Sequence, residues 1–326
     1  MIPEKPGKRQ RSMGRCQRMG RVIVSASRRT DIPRYYARWF GERRKAGFAE
    51  YRNVFGGKGR VSLRNEDLVG FLFWTRYAHP FQAHLRQLRS EGVPCVFQYT
   101  ITGYGPPIEP HVVSRERAID DFRRTSRELP DPSAIEWRYD PILLSERFPP
   151  AWHVENFGGI AEGLRGATRV VNTSIVEPYL KTVRRLSGEA VRFRRIDPQR
   201  HRTVSRRDPP VAQVGGAAVA LLGTLAAIAR DHDMVLRVCS NPEYAAFPPA
   251  RCCGAEIFAP YGAAVAREVQ GLPAAPSRSG CRCVRVHDIG MDNTCVAGCA
   301  YCYVVTSQAR AIANFRRHDP TAPSLR

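Results

Sequence analysis

Three cysteines near the end of the chain, Cys295, Cys299 and Cys302, stand in a Cys-x3-Cys-x2-Cys run, Cys-Val-Ala-Gly-Cys-Ala-Tyr-Cys. Iron–sulfur cubanes are ordinarily held by four cysteine thiolates, one on each iron. A compact set of three supplies three corners of a [4Fe–4S] cluster and leaves the fourth iron open to another ligand. The same run also suits a zinc site or a redox-active thiol pair. A second group comprises Cys239, Cys252, Cys253, Cys281 and Cys283. Of these, Cys239, Cys252, Cys281 and Cys283 form a four-thiolate set for a second iron–sulfur cluster or for tetrahedral zinc, with ordinary buried cysteines as the other reading. Cys16 lies in a basic arm and Cys95 inside an apolar run, so neither is a ligand candidate.

The elements that must hold these thiols show as a repeating pattern. Short apolar runs each end in a polar cluster: Val22–Val24 before Ser25–Asp31, Leu68–Phe73 before Trp74-Thr75-Arg76, and Val93–Phe97 before Gln98–Tyr104. Ile135–Trp137 precedes Arg138–Asp140, Val170-Val171 precedes Asn172, Met234–Val238 precedes Cys239, and Val284–Val286 precedes His287-Asp288 and the cysteine run. Helical composition lies between them at Tyr35–Ala46, Pro80–Ser90, Arg115–Leu129, Trp152–Leu164 and Ala217–Arg230, and Thr306–Phe315 follows the cysteines. Strands alternating with helices predict βα units and a parallel sheet, hence an α/β fold. Polar residues gathered after each strand are what a (β/α) barrel carries at its C-terminal face. The expectation is a TIM-like or partially open barrel. Only 24 residues follow Cys302, so the barrel must precede the cysteine run.

Residues 1–20 read as a disordered basic arm, 21–303 as the barrel with its cysteine loop 295–302, and 304–326 as a C-terminal helix and tail. A basic insertion at 181–210 has Phe193 as its one aromatic, which predicts a mobile, solvated loop rather than a base-stacking surface. The whole chain carries 51 Lys and Arg against 30 Asp and Glu, a net charge of +21. That excess either steers polyanions or coats a solvated surface, which keeps a nucleic-acid substrate beside a small-molecule one. The basic N-terminal stretch lacks the apolar core of a signal peptide, so a reducing cytoplasmic setting is expected, where clustered cysteines bind metal. The apolar stretch Val211–Ala229 is diluted by Gly, Gln213 and Thr224, which predicts a helix on the sheet and no membrane span.

Five separated phrases carry a family resemblance. They are Ser25-Ala-Ser-Arg-Arg-Thr-Asp-Ile-Pro33, Phe73-Trp-Thr75, Gln98-Tyr-Thr100 with Thr102-Gly-Tyr-Gly105, Trp137-Arg-Tyr-Asp-Pro-Ile142, and Ile289-Gly290 through Cys295 to Tyr303. In this order they resemble the bacterial domain of unknown function 1848 family, from about Arg21 to Tyr303. The resemblance implies a C-terminal cysteine cluster like that of radical S-adenosylmethionine (SAM) enzymes. The string Gly298-Cys-Ala-Tyr-Cys-Tyr303 is also similar to the cluster loop of spore photoproduct lyases.

Several roles follow from that resemblance. Cys295, Cys299 and Cys302 would ligate the [4Fe–4S] cluster, the open iron would chelate SAM, and Tyr301 would pack near the adenine. An electron donor such as flavodoxin or ferredoxin is implied. With the barrel placed before the cluster, the strand order is permuted, and Val284–Val286 is expected beside Val22–Val24. The turn after the latter then faces SAM: Asp31 would accept from its ammonium, and Arg28 or Arg29 would pair with its carboxylate. Asp31 also suits the N-cap of the next helix. Arg138 and Asp140 are expected to pair and shape the pocket, and the histidines to be packing or surface residues. The function expected is reductive SAM cleavage acting on an unidentified substrate. The alternative is a non-catalytic metal- or nucleic-acid-binding protein with structural iron–sulfur or zinc sites.

Overall fold

A computed structural model describes residues 20–52, 56–193, 216–239, 242–277 and 280–326. The apolar runs form one parallel sheet of seven strands flanked by helices, an α/β fold. Strand β1 (Val22–Ala26) leads through α1 (Ile32–Tyr35) and α2 (Ala37–Ala46) into an antiparallel hairpin of β2 (Phe48–Arg52) and β3 (Lys58–Ser62). Alternating units follow: β4 (Leu68–Thr75), α3 (Gln82–Ser90), β5 (Cys95–Thr100), α4 (Arg115–Arg127), β6 (Ile135–Ile142), α5 (Pro150–Leu164) and β7 (Val170–Ile175). Then come α6 (Leu180–Arg185), α7 (Ala217–Asp231), β8 (Val235–Val238), α8 (Ala255–Phe258), α9 (Ala263–Gln270), β9 (His287–Asp288) and α10 (Gln308–Arg316).

The sheet order is β8-β7-β6-β5-β4-β1-β9. Strands covered on both faces read as continuous apolar runs rather than alternating ones, and β4 is buried at every position except Trp74. Gly70 in β4 is required by close packing: a Cβ there would stand 2.5 Å from the Pro94 carbonyl oxygen and 2.9 Å from the Phe258 ring. Helices lay single stripes on the sheet. In α4, Ser114 caps the N-terminus by accepting from Arg117 N, and Ala118, Asp121, Phe122, Thr125 and Ser126 form the buried face. Phe40, Phe71, Phe73 and Phe81 interlock in the core, with Phe40 meeting the other three edge-on. Each such ring contributes about 1.5–3 kcal/mol by leaving water.

Four expectations need adjusting. The strand before the cysteine run is β9, three residues beyond Val284. The backbone of Val284 is occupied elsewhere, its N–H donating to Cys253 O at 3.0 Å. The sheet is an open order with β8 and β9 at its edges, and no pairing joins these two strands among the described residues. The hairpin β2–β3 was not foreseen, because Phe48-Ala-Glu-Tyr-Arg and Lys-Gly-Arg-Val-Ser carry little apolar alternation. The segment 181–210 is not a solvated loop throughout: its first part forms α6, and Thr182, Val183, Leu186, Val191 and Phe193 are buried. Residues 194–210 and the arm 1–19 lie outside the described residues. Helix α7 has the apolar face expected of it, and no described helix is long and apolar enough to cross a membrane.

Candidate functional site

The last strand in sequence lies beside the first. β9 pairs with β1 in parallel, Val24 opposite His287 and Ser25 opposite Asp288. One carboxylate fastens the two. Asp288 accepts from Ser25 Oγ at 2.9 Å, Ser27 Oγ at 2.7 Å, Arg28 N at 2.9 Å, Arg29 Nε at 3.3 Å and Gly290 N at 3.0 Å. Gly290 lets the strands approach, since a Cβ there would fall 1.9 Å from Ser27 Oγ. The thread continues to the cysteine loop through Thr30 Oγ1, which lies 2.7 Å from Thr294 Oγ1, and Tyr36 OH, which donates to Thr294 O at 2.7 Å. Both contacts are buried.

The loop carrying Cys295, Cys299 and Cys302 thus sits at the C-terminal end of the sheet, against the turn after β1. All three cysteines are free and partly exposed. Loss of water pushes the Cys295 thiol up to about 12 and the Cys299 thiol up to about 11; in each case neighbouring negative groups add to the shift. An opposing influence on Cys299 is Arg76, whose Nη1 donates to the Cys299 sulfur at 3.6 Å. Arg76 is buried and paired with Glu109 at 2.5 Å. Thr102 Oγ1 accepts from Arg76 Nη2 at 2.5 Å, and Tyr301 OH joins the same network through Arg76 and Glu109. Burial opposes the charge on Arg76, and the Glu109 carboxylate outweighs it, so the guanidinium stays ionised.

Helix α6 clamps the other side of the loop. Lys181 Nζ donates to Tyr303 O at 3.0 Å, Arg185 Nη1 to Cys302 O at 2.9 Å, and Arg185 Nη2 to Val305 O at 2.5 Å. The basic residues at the start of the 181–210 segment therefore act on the cysteine loop.

The residues singled out after β1 separate in role. Asp31 caps α1 by accepting from Arg34 N at 3.1 Å, and it also takes Thr75 Oγ1 at 2.7 Å and Arg76 N at 2.9 Å. Its burial raises its carboxyl to about 6 against those stabilising donors. Arg29 is spent on Asp288, Asp292 and the carbonyls of Arg52 and Gly290. The Arg28 guanidinium, by contrast, has no hydrogen-bond partner among the described residues. It lies over Trp74 at 5.9 Å and faces a cavity. Tyr301 points inward, tied to Glu109 and edge-on to Tyr104 at 6.2 Å.

That cavity, of about 270 Å³, is lined by cysteines of the second group. Its wall includes Arg28, Trp74, Arg138, Cys239, Cys252, Cys281, Cys283 and Tyr303. Four of the five cysteines of the second group are thus brought to one place from the end of β8, the loop before α8, and the loop before β9. Three backbone contacts assemble them: Cys239 N to Thr173 O at 2.8 Å, Ala250 N to Val238 O at 3.0 Å, and Ala275 N to Cys283 O at 3.0 Å. The thiols are hydrogen-bond neighbours, Cys252 of Cys239 and Cys283, and Cys283 of Cys253 and Cys281 as well. Hydrogen bonds from Cys283 hold the Cys281 thiol well below its usual range. Arg138 donates to the Cys252 sulfur at 3.0 Å, pairs with Asp140 as expected, and lies over Trp74 at 4.9 Å.

Among the described residues, no three Cys, His, Asp or Glu side chains converge as the ligands of a single ion. A mononuclear zinc site requires such convergence, with thiolates closing to ~2.3 Å on one centre.

A model of the family described as a domain of unknown function (DUF1848) matches residues 23–304. The chain belongs to this family. The match covers all of the sheet but Val22 and ends just past Cys302, so family membership takes in the fold and both cysteine groups. No curated protein matches the chain.

Asp288, Arg76, Glu109, Lys181 and Arg185 were not foreseen as site residues. Arg76 and Asp288 do stand in polar clusters at strand ends, which is the one sequence signal they carry. Glu109 and the α6 bases have none, because their partners lie far away in the chain. His153 is a packing residue, as expected, fully buried between Tyr139 OH and Leu143 O.

Proposed function

We propose that the chain is an iron–sulfur enzyme of the radical SAM type, built on a partially open (β/α) barrel whose cluster-bearing strand comes last in sequence. Cys295, Cys299 and Cys302 would hold the [4Fe–4S] cluster. The observation that carries the reading is the pairing of β9 with β1. It sets a three-thiol loop at the C-terminal end of a parallel sheet, where α/β folds gather their ligands. Bound there, the cluster supplies the electron for reductive cleavage of SAM at its open iron.

The chain's own residues support such a group in definite ways. Asp288 and Gly290 fix the strand that delivers the loop. Arg76 donates to the Cys299 sulfur, which favours the thiolate, and hydrogen bonds to cluster sulfurs raise the potential. Arg185 and Lys181 hold the carbonyls of the loop's last turn, and Tyr301, Tyr104 and Trp152 keep water from its inner side. Asp31 and Arg29 are committed to protein partners, so no SAM-binding role is assigned to them.

Anaerobically reconstituted protein given SAM and dithionite should be brown and release 5′-deoxyadenosine. Change of Cys295, Cys299 and Cys302 to Ala should abolish that release. Colourless protein carrying stoichiometric zinc, or no 5′-deoxyadenosine from a fully loaded protein, would overturn the proposal.

A further inference from the structure

The cavity lined by the second cysteine group has a chemistry that the three-thiol loop does not explain. Cys239, Cys252, Cys281 and Cys283 stand on its wall, reached from three separate segments of chain. Two guanidinium groups share that wall. Arg138 is buried, bonds the Cys252 sulfur at 3.0 Å and pairs with Asp140. Arg28 has no hydrogen-bond partner for its guanidinium among the described residues. Apart from its thiols, the wall holds two cations and one carboxylate.

We infer that Cys239, Cys252, Cys281 and Cys283 hold a second [4Fe–4S] cluster in this cavity, with Arg28 and Arg138 offsetting its charge. One observation favours a cluster over zinc. Zinc needs its four ligands drawn together on one point with no void between them. Here the four thiols line a cavity of about 270 Å³, and among the described residues no three converge on one ion. Charge suits either group, since a resting cubane with four thiolates and a zinc ion with four thiolates are both dianions. Both arginines then gain a counter-charge beyond that of Asp140 beside Arg138 and Asp288 near Arg28. The Arg138 contact to Cys252 becomes a charge-assisted hydrogen bond to a ligand sulfur, the kind of contact that orients and tunes a metal ligand. The inference goes beyond the SAM reading and does not depend on it, because all four corners here are filled by protein and no iron is left open for SAM.

The test uses the full chain, reconstituted anaerobically with iron and sulfide. Wild type should hold about eight irons, and the Cys295→Ala/Cys299→Ala/Cys302→Ala variant about four, with a reduced-state electron paramagnetic resonance signal that added SAM leaves unchanged. In that variant the second site is intact, so its iron reports on this inference even if the Cys281→Ser/Cys283→Ser protein fails to fold. Where the latter does fold, it should also hold about four irons, and its signal should shift with SAM. A folded triple variant with no iron, or with zinc in its place, overturns the second cluster. The two readings fail separately: iron confined to the Cys281→Ser/Cys283→Ser protein leaves only the SAM site standing, and iron confined to the triple variant leaves only this one.

Discussion

Replacing Glu109 by Gln should be among the most damaging single-atom changes in the protein. The Arg76 side chain is 9% exposed and that of Glu109 2%, with 2.5 Å between them. The carboxylate also accepts from Thr102 Oγ1 at 2.5 Å and from Tyr301 OH. Glutamine keeps the shape and one acceptor but removes the negative charge. Arg76 is then left as a buried cation whose partners, Thr102, Tyr301 and Cys299, are neutral in the metal-free chain. Breaking a buried pair from one side costs about 3–5 kcal/mol, mostly as the uncompensated charge. For a chain of this length, at ~2 °C per kcal/mol, the midpoint of thermal unfolding should fall by about 6–10 °C. Arg76→Met/Glu109→Gln removes both charges and should recover much of that loss. The assay is a double-mutant cycle by urea unfolding at neutral pH, read by tryptophan fluorescence, on metal-free protein. A Glu109→Gln cost under about 1 kcal/mol, or a double variant equal to the sum of the singles, would refute the reasoning.

Two further predictions concern the frame of the site. Gly290→Ala puts a methyl group 1.9 Å from Ser27 Oγ, so β9 must shift off β1; we expect a loss of roughly 1–3 kcal/mol and weaker iron retention, and unchanged values in both measurements would contradict the close-approach argument. The pH profile should hide two opposed slopes. Burial lowers His153 from 6.5 to about 4, so its contribution is full above pH 6.5 and lost as the pH falls towards 4. Burial raises Asp31 from 3.8 to about 6, so its contribution is full below pH 3.8 and lost as the pH rises through 6. Each is worth about 3 kcal/mol, and they nearly cancel between pH 4 and 6. Asp31→Asn should therefore unmask a stability that climbs with pH in that window, measured by urea midpoints; a variant whose profile parallels wild type would show the cancellation to be absent.

The parts legible in the sequence were those decided by local physics. Apolar runs such as Leu68–Phe73 are strands because a strand buried on both faces must be apolar throughout, and this signal survives without knowledge of neighbours. The stripe Ala118, Phe122, Thr125 marks α4 for the same reason. The cysteine run announces its chemistry because three ligands fall within one loop. Strand limits were less exact. β6 continues through Arg138 and Asp140 to Ile142, as the ladder to β7 holds polar residues that carry no strand signal of their own.

What tertiary structure alone decided is which distant residues meet. Parallel neighbours are joined by crossovers, so order in the sheet is not order in the chain. The turn after β1 therefore receives its counter-charge from Asp288, some 260 residues away. Nothing near Arg76 in sequence names Glu109 as its partner, and nothing near Cys302 names Arg185. The four cysteines of the second group could be proposed from composition, but only the fold sets them round one cavity with Arg28 and Arg138. A buried charge must find compensation wherever the packed chain offers it, and that demand leaves no mark on local sequence.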